Sequence, residues 1–211
     1  MSLLSRRKVL TASAVLGAHL AGPARIASSA QPDEQVDLTN ITRGWETVTG
    51  QWAVEDVPGA SRNGRALVQR AVNNEFNVIV APGGPYTDVD VSVRFKPMSG
   101  REDASGGIVF RFSEGRYYVV RANALEDNFR LYYYDRGRFM LASAPVTAPK
   151  LGEWHTLRVT ANKDGLRGWL NDGALINHRD GRFAAGRVGL WTKADSVTAF
   201  DSLTVRPKSS G

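Results

Sequence analysis

The chain has 211 residues, with 27 Lys and Arg against 21 Asp and Glu, and no Cys. Its length suits one domain plus a tail, and the missing Cys excludes disulfides, thiolate metal sites and a cysteine nucleophile. Four cations, Arg6, Arg7, Lys8 and Arg25, lie in the first 30 residues; beyond them 23 Lys and Arg face 21 acids, a net of +2, which lacks the electrostatic footprint of a nucleic-acid binder.

Residues 1–30 read as an export signal. Ser5-Arg6-Arg7-Lys8 is a charged start built on paired arginines, and Thr11–Leu20 is apolar but diluted by Thr, Ser, Gly and His. Ala27-Ser28-Ser29-Ala30 supplies small residues for cleavage before Gln31. The apolar run is shorter than the ~20 residues that cross a bilayer, so no membrane span is expected. Paired arginines with weak hydrophobicity resemble a twin-arginine signal, with the general secretory route as the alternative. Either route predicts a periplasmic or extracellular protein. Residues 31–44 are expected to form a polar leader, 45–206 the domain and 207–211 a tail.

From Trp45 on, short apolar segments alternate with turn residues, the pattern of a sandwich or barrel. Strands are predicted near Glu46–Glu55, Ala66–Gln69, Asn77–Ala81, Thr87–Phe95, Gly106–Phe112 and Arg116–Asn123. More follow near Asn128–Tyr134, Arg138–Ala142, Trp154–Ala161, Leu166–Leu170, Arg187–Thr192 and Val197–Val205. Pro82-Gly83-Gly84-Pro85, Asp135-Arg136-Gly137, Lys163-Asp164-Gly165 and Asn171-Asp172-Gly173 are turn signals. Asp180-Gly181-Arg182-Phe183 is expected to hold one short helical turn. No segment sustains a period of 3.6. The expected fold is all-β, a two-sheet antiparallel jelly-roll sandwich.

The stretch Ser105 to Tyr134 gives its sheet two chemically different faces, because side chains alternate along a strand. Ile108, Phe110, Phe112, Tyr118, Val120, Ala122, Phe129, Leu131 and Tyr133 fall on one face, a core. The other collects Arg111, Arg121, Asn123, Arg130 and Tyr132. Guanidinium, amide and phenol groups together suit a polar, hydroxyl-rich or anionic ligand. Outward arginines carry little packing, so Arg121→Ala is expected to leave stability nearly unchanged.

Five motifs follow one another along the chain: Ser105-Gly106-Gly107-Ile108-Val109-Phe110-Arg111, Gly152-Glu153-Trp154-His155-Thr156-Leu157-Arg158-Val159, Trp169-Leu170-Asn171-Asp172-Gly173, Gly186-Arg187-Val188-Gly189-Leu190-Trp191 and Phe200-Asp201-Ser202-Leu203-Thr204-Val205. This series, from Trp45 to Val205, resembles the concanavalin A-like lectin/glucanase superfamily, in particular its 3-keto-disaccharide (3-keto-glycoside) hydrolase-like and laminin-G-like domains. The resemblance implies a jelly roll whose concave sheet faces a glycan or a glycan-derived ligand. It carries over Arg111, which closes the S-G-[GI]-[IL]-x-[FW]-R strand, and Trp191 and Lys193, which end the strand matching G-x-[IV]-G-L on the Arg187 face. The glucanases of the superfamily place two carboxylates on one strand face through E-x-D-x-x-E. No Glu here begins that pattern, so a retaining glucanase is not expected.

Other carboxylates are candidates for chemistry. Glu126 and Asp127 sit at the tip between two strands that carry arginines, where they suit acid/base work or Ca²⁺ coordination through oxygen; the alternative is a hairpin loop of turn-forming residues. Asp90 and Asp195 are further candidate acids. Beyond residue 30 only His155 and His178 remain, which argues against a histidine metal cluster, and no other cofactor is expected. His155 is expected on an inward face. Trp45, Trp52, Trp154 and Trp169 are expected in the core, with Trp191 either in the core as well or an exposed platform for a sugar ring. Three functions follow. The first is an exported carbohydrate-binding, lectin-like domain. The second is a hydrolase or lyase acting on 3-keto-glycosides, and the third an interaction or structural module of the envelope.

Overall fold

The computed structural model describes residues 33–72 and 75–208. The export signal expected over residues 1–30 therefore lies outside the described residues, as does the end of the tail at 209–211. Fifteen strands are found among the described residues: β1 (Glu34–Gln35), β2 (Glu46–Thr47), β3 (Trp52–Asp56), β4 (Arg65–Gln69), β5 (Phe76–Val80), β6 (Val89–Ser99), β7 (Ser105–Ser113), β8 (Arg116–Asn123), β9 (Glu126–Tyr134), β10 (Arg138–Pro145), β11 (His155–Asn162), β12 (Gly165–Leu170), β13 (Gly173–Arg179), β14 (Arg187–Lys193) and β15 (Val197–Pro207). Among the described residues no helix is long and apolar enough to cross a membrane.

The strands form two antiparallel sheets. One has eight strands in the order β13-β12-β11-β6-β15-β4-β3, with β1 added on β15; the other has seven, β10-β9-β8-β7-β14-β5-β2. The expected sandwich is confirmed, and its core is built from the alternation. Val89, Val91, Val93 and Phe95 of β6 and Leu157 and Val159 of β11 meet Ile108, Phe110, Tyr118, Val120, Phe129, Leu131 and Leu190 of the facing sheet.

Several local expectations change. The segment expected as a leader is partly built in: Glu34 and Gln35 pair with Val205 and Thr204, and Val36 and Leu38 are buried in the core. No helical turn forms over residues 180–183. Instead Asp180 Oδ1 accepts from the Tyr118 hydroxyl (2.5 Å) and the Arg182 amide (3.0 Å), while the Phe183 amide donates to Tyr118 (3.2 Å). Those side-chain partners replace the bonds of a helical turn. Trp154 and Trp169 lie on the outer side of the eight-stranded sheet rather than in the core, with the Arg94 guanidinium 4.6 Å above the first ring and Arg158 5.0 Å above the second.

Candidate functional site

The three-strand prediction holds at β8 and β9 and fails at one point in β7. Phe110 pairs with Tyr118 and Ser113 with Arg116, so Arg111 and Phe112 together oppose Tyr117. This is a β-bulge, with Arg111 in the left-handed region at φ 52°. Gly186 of the next segment packs so closely on it that a Cβ there would sit 2.3 Å from the Arg111 carbonyl carbon. The bulge exchanges the two side chains. Phe112 moves to the outer face, where it stacks on Tyr117 at 6.0 Å. Arg111 leaves that face and is 1 % exposed. It donates to the carbonyls of Thr87 (2.9 Å), Phe183 (2.9 Å) and Lys163 (2.6 Å) and lies 3.8 Å from Asp88. The expectation that Arg111 joins Arg121 on one face is therefore corrected.

The remaining predicted residues do come together. In the β8–β9 register Arg121 stands directly opposite Arg130. Like charges so placed repel, and Glu126 resolves this. The Asn123 side chain accepts from the Leu125 amide (3.0 Å) and the Ala104 amide (3.1 Å), closing a tight turn that returns the chain so that Glu126 pairs with Asn123. Glu126 Oε2 then accepts from Arg121 Nη2 (2.7 Å) and Asn128 Nδ2 (2.9 Å) and lies 3.5 Å from Arg130 Nη1. The Tyr132 hydroxyl accepts from both guanidiniums, at 3.5 Å from Arg121 and 3.3 Å from Arg130. Arg121 is buried, so it is a supporting element of the face and not a solvated arginine.

Burial alone would raise the Glu126 carboxyl, but Arg121, Asn128 and Arg130 outweigh it and pull it from its ordinary 4.5 to about 2. The folded value lies below the unfolded one. The resulting stabilisation is thus present above pH 4.5 and disappears as the pH falls toward about 2. Denaturant midpoints of the wild type and of Glu126→Gln should therefore converge as the pH is lowered through that window; a gap that stays constant would contradict the ion-pair assignment.

The sheet's curvature supplies the rest of the site. Phe76 of β5 and Tyr134 of β9 are four strand steps apart, roughly 19 Å in a flat sheet. Their rings nevertheless lie 5.8 Å apart, so this face is deeply concave. Trp191, for which the sequence leaves the core and an exposed platform both open, is fully buried beneath this closure and stacks on Phe76 at 5.6 Å. Arg138 of β10 lies over Tyr132 (4.5 Å), Phe76 (5.0 Å) and Trp191 (5.9 Å). Lys193 reaches the acids at the opposite rim, 3.7 Å from both Glu102 and Asp103. Burial raises the Asp103 carboxyl, against the pull of Ser105, Arg121 and Lys193.

The other carboxylate candidates are placed elsewhere. Asp127 Oδ1 accepts from the Ala148 amide (3.1 Å) and fixes a loop. Asp195 accepts from the amides of Arg101, Glu102 and Asp103. Asp90 pairs with Arg158 on the outer side of the other sheet (2.6 Å). His155 is half-buried, its Nε2 3.2 Å from the Lys150 carbonyl. Among the described residues no group of three or more His, Asp or Glu is arranged to hold a metal ion.

Sequence reasoning missed Asp103, Phe76 and Arg138; for Arg138 the signal was present, since the Asp135-Arg136-Gly137 turn puts it opposite Tyr134. One feature separates the concave face from the rest of the molecule. Among the described residues, the buried side-chain nitrogens and oxygens without a hydrogen-bond partner are Arg121 Nε and Nη1, Asn123 Nδ2, Asn128 Oδ1, Arg130 Nε, Arg138 Nη1 and Trp191 Nε1. All belong to this face. Trp191 Nε1 is close enough to Tyr117 to restrain its phenol, which burial pushes up, but makes no hydrogen bond of ordinary geometry. Native proteins pair nearly all such groups, and six of these seven are donors.

Similarity to known proteins fits this fold. A levanase of Bacillus subtilis (strain 168) is 22% identical over 173 residues, which are 79% of this chain and 23% of the levanase. The chain thus spans about a quarter of that relative. The carbohydrate binding module CBM66 from Bacillus subtilis superposes with a TM-score of 0.66 at 20% identity, covering 77% of this chain and 95% of the module. The VIP36 exoplasmic/lumenal domain in its Ca²⁺/Man3GlcNAc-bound form gives a TM-score of 0.58 at 10% identity, over 79% and 84% of the two chains. These superpositions establish the shared sandwich. Residues 36–206 match the model of one family along nearly the whole sandwich, and the chain belongs to the 3-keto-alpha-glucoside-1,2-lyase-like domain family.

Proposed function

We propose that the chain is an exported carbohydrate-binding domain whose ligand lies on the concave face of the seven-stranded sheet. The observation that carries this reading is the gathering of the unpartnered buried polar atoms on that one face, beside aromatic rings. A sugar presents hydroxyl and ring oxygens that accept from the one-third-exposed Arg130, with buried Arg121 and Asn123 supporting the face beneath, while Glu126, held ionised, accepts from its hydroxyls. The similarity to a levanase and to a carbohydrate binding module supports the same reading and makes levan oligosaccharides the first ligands to try.

Arg130→Ala removes a one-third-exposed side chain, so the fold should tolerate it. In calorimetric titrations with levan oligosaccharides it should weaken binding about tenfold, the value of one charged hydrogen bond. Equal affinities for wild type and variant would remove Arg130 from the site.

Elimination from a 3-keto-glucoside is the second reading, favoured by the family itself. It needs a base for the proton beside the ketone and a cation for the developing oxyanion. Glu126, held at about 2, is a poor base, and Asp103, whose carboxyl burial raises, is only 2 % exposed at the rim. Binding is therefore placed first, and turnover of a 3-keto-glucoside that Glu126→Gln abolishes would reverse the order.

A further inference from the structure

We propose a second, independent site on the other sheet, for a saccharide carrying carboxylate or sulfate groups. A cavity of about 540 Å³ opens on the outer side of β11 and β12, next to Trp169. Five cations line it: Arg158, Lys163, Arg167, Arg179 and Lys208. Two carboxylates oppose them. Asp90 is nearly buried beneath Arg158 (2.6 Å) and Lys208 (3.6 Å), and Asp164 pairs with Arg179 (2.7 Å). Arg167 and Lys163 are exposed and have no ion-pair partner among the described residues.

The cavity rim is held by buried charge. Lys163 sits in the left-handed region at φ 52° in the turn joining β11 to β12, and its surroundings hold that turn in place. Two buried groups do so: Asp88 accepts from the Lys163 amide (2.7 Å), and Arg111 donates to the Lys163 carbonyl (2.6 Å). The arginine absent from the concave face thus fixes the turn that presents Lys163 at the mouth of this cavity.

The chemistry selects the ligand class. A volume of this size accommodates one or two sugar units, and the aromatic edge of Trp169 with Thr160 on the same side suits a saccharide. Unpaired guanidinium and ammonium groups at the rim suit oxyanions, which neutral sugars do not present. The site lies on the sheet facing away from Glu126 and Arg130, so its ligand is bound separately from that of the concave face.

Titration of the full chain with trigalacturonate, maltotriose and inorganic phosphate tests this. Trigalacturonate should bind the wild type and Glu126→Gln alike, and at least about fivefold more weakly to both Arg167→Glu and Lys163→Asn. Maltotriose should show no dependence on Arg167. Three results would overturn the proposal. One is undetectable trigalacturonate binding, or binding unchanged in both variants. Another is equal weakening by Arg136→Glu, which changes a 95 % exposed arginine of the β9–β10 hairpin outside the cavity lining and would reveal charge attraction alone. The third is inorganic phosphate competing as well as the trisaccharide, which would mean an anion site without sugar recognition.

Discussion

Replacing Arg111 by Ala should destabilise the fold by about 3–5 kcal/mol, the range expected when one partner of a buried charged network is removed. The guanidinium satisfies the carbonyls of Thr87, Lys163 and Phe183 at once, and Asp88 beside it is 5 % exposed. Asp88 would keep the Lys163 amide but lose the adjacent cation, and the three carbonyls would lose the donor they share. Ala inherits the positive φ of the bulge, whereas Gly relieves it. Arg111→Gly should therefore be less destabilised than Arg111→Ala by about 1 kcal/mol despite its smaller side chain. Chemical denaturation of both variants reads this directly. Wild-type stability in Arg111→Ala would mean that the residue is a surface group after all.

Arg121→Ala should also lower stability, by about 2–3 kcal/mol, contrary to what its place on an outward strand face suggests. The side chain is 2 % exposed and sits between the Glu126 carboxylate and the Tyr132 hydroxyl. Glu126 is 37 % exposed, so solvent offsets part of the lost ion pair, and the rest of the loss comes from the buried volume that Arg121 fills beside Tyr132. Arg121→Met keeps most of the volume and should recover part of the stability while remaining defective in binding levan oligosaccharides. Recovery of binding along with stability would show that Arg121 only packs the face.

Strand alternation made much of this legible. The alternation of β8 and β9 was enough to place Arg121, Arg130 and Tyr132 together, because period two is imposed by the pleat itself. It misled at Arg111 because apolar residues continue to alternate through Phe112 while the backbone does not. One extra residue in the bulge reverses the faces without leaving a trace in the hydrophobic pattern. β13 was missed for a related reason: its Leu175 and Ile176 are adjacent, and Asn177 and His178 follow, so no alternation shows. The burial of Trp191 depends on curvature, which brings β5 to β9 across the face and is not written in any local segment. Asp103 enters from a loop, where no periodicity speaks.

The central claim is that sugar binds the concave face, and side-chain amide spectra of the ¹⁵N-labelled full chain test it most directly. On titration with levan oligosaccharides, the Nε–H signals of Arg121 and Arg130 and the indole N–H of Trp191 should shift together. Those of Arg158 and Trp169, on the opposite sheet, should stay in place. Shifts confined to Arg158 and Trp169, or the absence of any shift at Arg121, Arg130 and Trp191 with every neutral oligosaccharide tried, would contradict the account.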